Sequence, residues 1–160
     1  MCTLINEEDT QRLKKNLKKT GNLAWKVVVV DIETGVLSAP LMGNDYYEKQ
    51  FNRTNENISR YRGYKRDIQG ALRGGVFHLC RTREDARLMF SIIKDSGMFI
   101  IDRWCYNMSA NKKLKIMRVS YNKKDFRGIG KSVNFSTTAQ RELNKMGNNA
   151  ICVRAFKFVK

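Results

Sequence analysis

The apolar residues of this chain fall into short runs of strand character, and only one long stretch has the period of an amphipathic helix. The strand-like runs lie at residues 23–30, 36–40, 75–80, 98–106, 113–121 and 149–159. The helical stretch at residues 82–95 has a wide apolar face. Strands that outnumber helices and follow one another in runs predict an α+β fold, with a mainly antiparallel sheet, one principal packed helix and a short N-terminal helix.

The chain has 160 residues, which is the length of one domain. We therefore predict a single domain over residues 1–160, with an N-terminal helical segment at 1–22. Residues 43–75 are polar, rich in Asn, Arg, Tyr and Gly, and without a sustained period, and we interpret them as a long basic and polar loop. Loops of this length are uncommon in compact domains and are usually functional or disordered. A second connection, at residues 122–148, is expected to hold one short helix at 138–145.

The four cysteines stand apart, without a C-x-x-C pair. A chain of this size buries enough apolar surface to fold without disulfide staples, so we expect reduced, mostly buried thiols. The first residues lack the basic start and apolar run of a secretory signal, and no stretch approaches the ~18 consecutive apolar residues of a membrane-spanning helix. These features predict a cytoplasmic protein without a membrane partner.

The charge of the chain is strongly positive and unevenly distributed. Lys and Arg number 31 against 15 Asp and Glu, which gives a net charge of +16. Residues 51–160 hold 24 of the cations and 8 of the acids. An excess gathered in one part of the chain favours a basic face, which is the electrostatic signature of phosphate binding. We therefore expect nucleic acid, either RNA or DNA, as the partner.

The densest cluster of cations lies inside the long loop, where four of them are interleaved with two tyrosines around a glycine. Arg and Lys neutralise phosphates, and Tyr rings stack on unpaired bases at about 1–3 kcal/mol per base. We interpret this segment as a nucleic-acid or partner contact; the alternative is that its tyrosines are core anchors and its charges are solvated. The candidate residues are Arg60, Tyr61, Arg62, Tyr64, Lys65 and Arg66.

Two further basic clusters would extend the same surface. In the predicted strand 113–121, cations at alternate positions are expected on the solvent face, since Leu114 and Ile116 take the intervening and following positions. The candidates are Lys113 and Lys115 in this strand, and Lys123, Lys124, Arg127 and Lys131 after it.

One strand ends in Asp-x-Glu-Thr, a pattern of catalytic character. Asp31 and Glu33 follow the apolar run 27–30, and Asp125 lies four residues after Tyr121. This pattern resembles the first and last motifs of the DEDD-type 3'-5' exonucleases. The resemblance implies that the three carboxylates bind divalent metal ions, which clamp the attacking and leaving oxygens of a phosphodiester.

The sequence departs from that family in its middle motif and in its helices. The motif needs an Asp after an aromatic residue, whereas Asp67 follows Arg66. The family also needs several helices around a central sheet. His78, the one histidine, stands in an apolar strand without an identifiable residue to orient it as a base. We therefore favour a noncatalytic binding module without metal or cofactor, and keep the metal-dependent nuclease as the alternative.

Three segments together resemble an arrangement in small proteins of phages and mobile elements. They are the run 25–30 that leads to residues 35–40, the strand 75–78 and the helical residues 84–86. The resemblance implies a host-takeover or anti-defence role, such as an anti-CRISPR-type inhibitor, in the cytoplasm of a bacterial host. Many such inhibitors are acidic mimics of nucleic acid, whereas this chain is basic. It would therefore bind guide RNA, the DNA path or an acidic surface of a ribonucleoprotein such as a CRISPR effector.

Overall fold

The structure is a computed structural model, and it describes residues 2–40, 45–62, 66, 69–95, 111–133 and 137–160. Within these ranges the chain forms twelve β-strands and three α-helices. The strands are β1 (Cys2–Ile5), β2 (Asn22–Asp31), β3 (Leu37–Ser38), β4 (Asp45–Tyr46), β5 (Asn52–Arg53), β6 (Ser59–Arg60), β7 (Leu72–Gly74), β8 (Phe77–Cys80), β9 (Lys112–Tyr121), β10 (Phe126–Val133), β11 (Ala150–Val153) and β12 (Ala155–Phe158). The helices are α1 (Glu7–Asn16), α2 (Arg83–Asp95) and α3 (Thr137–Leu143).

The described strands form one antiparallel sheet. Its order is β5-β12-β9-β2-β8-β11-β10-β1-β7-β6, with β3 beside β2 and β4 beside β3. The longest pairing joins β2 to β9 over ten residues of each strand, from Asn22 opposite Tyr121 to Asp31 opposite Lys112. The α+β fold with a mainly antiparallel sheet, which the sequence predicts, is therefore confirmed.

The sheet is curled, and its inner face encloses the main hydrophobic core. Leu79, Ile129, Ile151 and Phe156 are among its fully buried members, and they come from four different strands. The outer face of β2 and β9 packs against α2 through a second cluster. The two faces therefore bury separate sets of apolar residues.

Alternation along β2 assigns its side chains to these two faces. Ala24 and Val28 belong to the inner core, and Val27 belongs to the cluster under α2. Because successive side chains of a strand point to opposite faces, Lys26 points inward and Trp25 points outward. The same strand therefore presents a cation to the core and an aromatic ring to the outer face.

Helix α2 begins at a side-chain cap made by Thr82. The hydroxyl of Thr82 accepts a hydrogen bond from the Asp85 backbone N–H at 3.1 Å and donates one to Asp85 Oδ2 at 2.6 Å. This cap satisfies an amide of the first turn, which has no partner inside the helix. The helix then packs Ala86 and Met89 against the outer face of the sheet.

Helix α1 ends at Asn16, inside the N-terminal segment 1–22 that the sequence predicts to be helical. Its start is capped by Asn6, whose side chain accepts a hydrogen bond from the Asp9 N–H at 2.9 Å. At the other end, the Asn22 side chain hydrogen-bonds both the N–H and the carbonyl of Lys18, each at 2.8 Å. These hydrogen bonds fix the segment between α1 and β2 in a non-helical conformation.

Six strands are missing from the sequence-based prediction: β1, β10 and the four short strands within residues 43–75. β1 and β10 pair with each other. The sequence predicts a connection at 122–148, because the glycines in that stretch are typical of loops. In the structure, Gly130 lies against the backbone of β1, and a Cβ there would collide with the carbonyl oxygen of Leu4. The glycine therefore permits close strand pairing, and the interpretation of this stretch as a connection is corrected.

The described part of residues 43–75 contains four short strands, so the interpretation as one long loop is also corrected. β4 pairs with β3, β5 pairs with β12, and β6 and β7 join the sheet through β1. Each of these strands has two or three residues, which is too short to show the alternation that indicates a strand.

The remaining elements differ from the predictions in detail. The predicted strand 149–159 is two strands, β11 and β12, and the predicted helix 138–145 is α3 followed by a 3₁₀ turn at Asn144–Met146. The predicted strand 98–106 lies outside the described residues. Of the helices in the described ranges, none combines the length and the apolar character that a membrane-crossing helix needs.

Candidate nucleic-acid interface

The structure places the predicted basic residues at separate parts of the sheet. Lys113 and Lys115 are exposed in the first half of β9, whereas Lys123 and Lys124 follow its far end. A strand advances about 3.3 Å per residue, so the stretch from Lys115 to Tyr121 alone measures about 20 Å. These two clusters therefore lie at opposite ends of β9.

One of the other predicted cations joins the second cluster: Arg127 Nη1 donates a hydrogen bond to the Lys124 carbonyl at 2.7 Å. Lys131 lies four residues farther along β10, and Arg60 is in β6 at the sheet edge. Arg60 Nη1 donates a hydrogen bond to the Gly70 carbonyl at 2.8 Å. The described candidates therefore do not converge on one groove. Arg62 and Arg66 are exposed, and Tyr64 and Lys65 lie outside the described residues.

Tyr61 takes the role of a core anchor, the alternative left open by the sequence. Its side chain is 6% exposed and packs with Cys2, Ala71 and Val133. Its backbone N–H donates a hydrogen bond to the Ala71 carbonyl at 2.8 Å. Because the ring is buried, its faces are occupied by protein, and we do not retain Tyr61 as a base-stacking residue.

The three carboxylates of the nuclease alternative are not brought together. Asp31 ends β2 opposite Lys112, whereas Asp125 lies beyond Tyr121 at the other end of β9. Ten residues of paired strand, about 30 Å in length, separate these ends. Two-metal sites hold their ions about 3.5–4 Å apart, so Asp31 and Asp125 do not share one in this fold.

Asp31 and Glu33 have structural roles in the turn between β2 and β3. Asp31 Oδ1 accepts hydrogen bonds from the N–H groups of Glu33 and Thr34, at 3.0 and 2.9 Å. The bond from the Thr34 N–H lowers the pKa of Asp31 below its usual value. Glu33 Oε1 accepts a hydrogen bond from Asn111 at 2.6 Å. The Asp-x-Glu-Thr motif is therefore a turn that joins two strands.

Asp125 is a buried anchor for the turn that leads into β10. Its side chain accepts a hydrogen bond from Arg53 Nη1 at 3.1 Å, and its backbone carbonyl accepts one from the Arg154 N–H at 2.8 Å. Its second carboxylate oxygen, Oδ2, is buried without a hydrogen-bond partner in the described part of the chain. These contacts tie the turn to β5 and to the segment between β11 and β12.

A different group of residues meets on the outer face of the sheet beside the first turn of α2, where Trp25 packs against the apolar cluster beneath that helix. Cross-strand pairing places Trp25 opposite Arg118, and it aligns Leu23, Ser120 and Lys157 in the neighbouring row. Phe51 joins this group from the residue before β5. We call the surface the Trp25 face, and it consists of Leu23, Trp25, Phe51, Arg83, Arg118 and Lys157.

Each aromatic ring of the Trp25 face has a cation beside it. The guanidinium carbon of Arg83 lies 5.5 Å from the centroid of the Trp25 ring, and Lys157 Nζ lies 5.6 Å from the centroid of Phe51. Trp25 and Phe51 are partly exposed, and Leu23 beside them is 47% exposed. Apolar ring surface and positive charge therefore reach solvent together.

The cations of this face have no acidic partners in the described ranges. The ion pairs found there join Arg12 to Asp9, Arg53 to Asp125 and Lys145 to Glu142. Arg83, Arg118 and Lys157 are exposed and belong to none of them. Their charge is therefore available to an anionic partner.

A second group of cation and rings lies on the inner face. Lys26 is 7% exposed, and its ammonium group lies 5.2, 5.9 and 5.3 Å from the ring centroids of Tyr46, Phe77 and Phe156. Lys26 Nζ also donates a hydrogen bond to the His78 carbonyl at 3.2 Å. This cation is enclosed by protein, so we assign it a structural role.

His78 and Cys152 lie close together, but both are neutral. Cys152 Sγ is 3.6 Å from His78 Nδ1, and the Thr3 hydroxyl is 2.8 Å from the same nitrogen. Burial lowers the pKa of His78 to about 3 and raises the pKa of Cys152 to about 12. Since the thiolate is the nucleophilic form of cysteine, this pair is suited to packing rather than to nucleophilic catalysis.

Sequence reasoning missed the Trp25 face because its members are distant in the chain. Trp25 and Arg118 meet only when β2 pairs with β9, and Lys157 and Phe51 join through two further pairings. No short segment of the sequence contains both an aromatic ring of this face and the cation that lies beside it.

Comparisons with protein-family models, with curated proteins and with solved structures found no match for this chain.

Proposed function

We propose that this protein is a noncatalytic module that binds nucleic acid, either free or within a ribonucleoprotein. The observation that carries the proposal is the excess of unpaired positive charge. The chain has 31 Lys and Arg against 15 Asp and Glu. Within the described residues, the cations that form ion pairs are Arg12, Arg53 and Lys145. A protein with such an excess attracts polyanions, and duplex DNA is a dense one, with one negative charge per about 1.7 Å of its axis.

The chemistry of the described residues supports the noncatalytic part of the proposal. Asp31 caps a turn, Asp125 is buried against Arg53, and the two lie at opposite ends of β9. The buried His78 and Cys152 are neutral at physiological pH. These four side chains therefore belong to turns and to the core, and the fold does not assemble them into one reactive site.

Binding is tested with labelled single- and double-stranded DNA and RNA by fluorescence anisotropy over a series of salt concentrations. We expect binding whose log K falls linearly with log salt, with a slope of about −0.7 to −0.9 for each neutralised phosphate. Polyglutamate of similar total charge is the control polyanion and should compete less well. Absence of binding to all four nucleic acids at about 50 mM salt would contradict the proposal.

The nuclease alternative is tested by incubating the same labelled strands with Mg²⁺ or Mn²⁺ and resolving them on a denaturing gel. We expect the strands to keep their length. Shortening that the Asp31→Ala variant abolishes would replace the binding module with the metal-dependent nuclease.

The resemblance to small phage and mobile-element proteins suggests a setting for this binding. A CRISPR effector holds guide RNA and target DNA in a basic channel, so a basic inhibitor would compete for those strands. The anti-CRISPR-type role stays a prediction. It is tested by adding the protein to an effector loaded with guide RNA and measuring cleavage of the target. We expect target cleavage to decrease.

A further inference from the structure

We propose that the Trp25 face binds single-stranded nucleic acid, with bases on its rings and phosphates on its cations. This inference rests on the proposed function, because it names the substrate class and the place of binding. It begins from a cluster on the outer face of the sheet. Two partly exposed aromatic rings lie there with three exposed cations that form no ion pair within the described ranges, and one of these cations, Arg83, is the first residue of α2.

The register of four neighbouring strands fixes the geometry of this face. Trp25 on β2 lies opposite Arg118 on β9, and Lys157 on β12 lies next to Phe51 at the start of β5. The two rings are three strand spacings and one row apart, about 16 Å. An extended strand of several nucleotides spans that distance, with Arg118 and Lys157 between the two rings.

The chemistry of the face matches an unpaired strand better than a duplex. Bases of a duplex are stacked on one another, so their faces are closed to a protein ring, whereas unpaired bases stack on aromatic rings and on guanidinium planes. Arg83, which already lies over Trp25, presents a guanidinium plane of the kind on which bases stack.

The charge of the face selects a polyanion as its occupant. Arg83, Arg118 and Lys157 are exposed and form no ion pair within the described ranges. Leu23 adds apolar surface beside them, being 47% exposed. An apolar protein partner would bury these three charges without compensation, which is costly, whereas a phosphate backbone neutralises them.

Two charge-matched double variants locate the binding face. Arg118→Gln with Lys157→Gln removes two charges from the Trp25 face, and Lys113→Gln with Lys115→Gln removes two from the opposite face of β9. We expect the first pair to lower the salt slope for a single strand of about 12 nucleotides by about 1.4, and the second to lower it less. Lys14→Gln with Lys15→Gln, in the exposed part of α1, controls for net charge alone.

The ring is tested separately from the charges. Trp25→Leu keeps apolar packing and every cation, and it should weaken single-strand binding about fivefold to a hundredfold, the loss that corresponds to ~1–3 kcal/mol of stacking. Thermal unfolding of the variant verifies that it is folded. A direct reading keeps Trp25 itself: in a Trp104→Phe chain Trp25 is the one remaining tryptophan, and its fluorescence should be quenched as single strands bind.

The outcomes separate the two proposals. If wild type binds, but Trp25 emission is unchanged and the Lys113 and Lys115 pair costs as much affinity as the Arg118 and Lys157 pair, this inference is overturned and the proposed function stands. Tighter binding of duplex than of single strands also overturns it. If wild type binds no nucleic acid, the proposed function falls first. Oligo(dT) and oligo(U) strands of equal length show whether DNA or RNA is preferred.

Discussion

The two faces of β2 place the same chemical pair, a cation beside aromatic rings, in opposite surroundings. On the inner face, Lys26 is enclosed by Tyr46, Phe77 and Phe156 and is 7% exposed. On the outer face, Arg83 lies over Trp25 with its charge in solvent. Trp25 therefore belongs to the outer arrangement, and Lys26, the next residue of the same strand, belongs to the inner one.

The difference shows how burial decides what a cation contributes. A cation over a ring is worth about 0.5–1 kcal/mol when exposed and about 2 kcal/mol or more when desolvated. Lys26 is surrounded by three rings and a carbonyl, so its interactions stabilise the fold. Arg83 keeps its outward side free for a phosphate or a base. The inner pair is thus expected to govern stability, and the outer pair binding.

The largest expected effect comes from reversing the charge of Lys26. In Lys26→Glu, a carboxylate would face the negative faces of three rings and the His78 carbonyl. We expect the free energy of unfolding to fall by about 3–5 kcal/mol, the cost of an uncompensated buried charge. Urea denaturation followed by far-UV circular dichroism measures it.

Lys115→Glu is the matched control for this reversal. Lys115 lies two residues from the position opposite Lys26 and on the same face, but it is exposed. We expect its reversal to change stability by no more than about 0.5 kcal/mol. Equal losses in the two variants would contradict the assignment of a structural role to the inner cation.

A second expected effect concerns the proton on His78, whose carbonyl binds Lys26. Burial lowers the pKa of His78 to about 3, and the positive charge of Lys26 acts in the same direction. An unfolded histidine titrates near pH 6.5, so between about pH 6.5 and 3 the unfolded chain binds the extra proton. Stability is therefore lost as the pH falls, by up to about 2 kcal/mol between pH 7 and 5.

The His78→Gln variant isolates this contribution, since other groups also titrate in that range. Gln offers Thr3 a hydrogen-bonding group and carries no titrating proton. The difference in unfolding free energy between wild type and the variant should shrink as the pH falls from 7 to 5. A difference independent of pH would show that His78 is protonated in the folded chain as readily as in the unfolded one.

The elements that the sequence predicts well are those whose signals are local. The helical stretch at 82–95 has its own apolar face, and the runs 23–30 and 36–40 have their own strand character. Such signals depend on side chains a few residues apart, so they do not depend on the rest of the fold.

The elements that the sequence does not predict depend on pairings between distant residues. Strand β1 pairs with β10, and the Leu4 backbone lies so close to Gly130 that a residue with a Cβ would collide with it. In the sequence, the same glycine is typical of a loop, since nothing near it shows what it packs against. The strands of residues 43–75 likewise form only against partners elsewhere in the sheet.

The candidate site follows the same rule. The sequence shows the excess of positive charge, and its densest group of cations lies at residues 60–66. That group includes Tyr61, which is buried in the core of the structure. Period-two alternation correctly predicts that Lys113 and Lys115 are exposed. It does not indicate that Trp25 and Arg118 are neighbours, because that depends on the register of β2 against β9.

The smallest expected effect separates the two roles of the outer pair. Arg83→Gln removes the guanidinium from Trp25, and stability should fall by about 0.5–1 kcal/mol, the value of an exposed cation over a ring. Arg87→Gln, also exposed on α2, should cost less. Both variants lose one charge, so their salt slopes measure whether Arg83 contacts phosphate. A slope lowered by about 0.7 in Arg83→Gln alone would assign the guanidinium to the strand. Equal slopes would leave Arg83 as a support for the Trp25 ring, with Arg118 and Lys157 carrying the phosphate contacts.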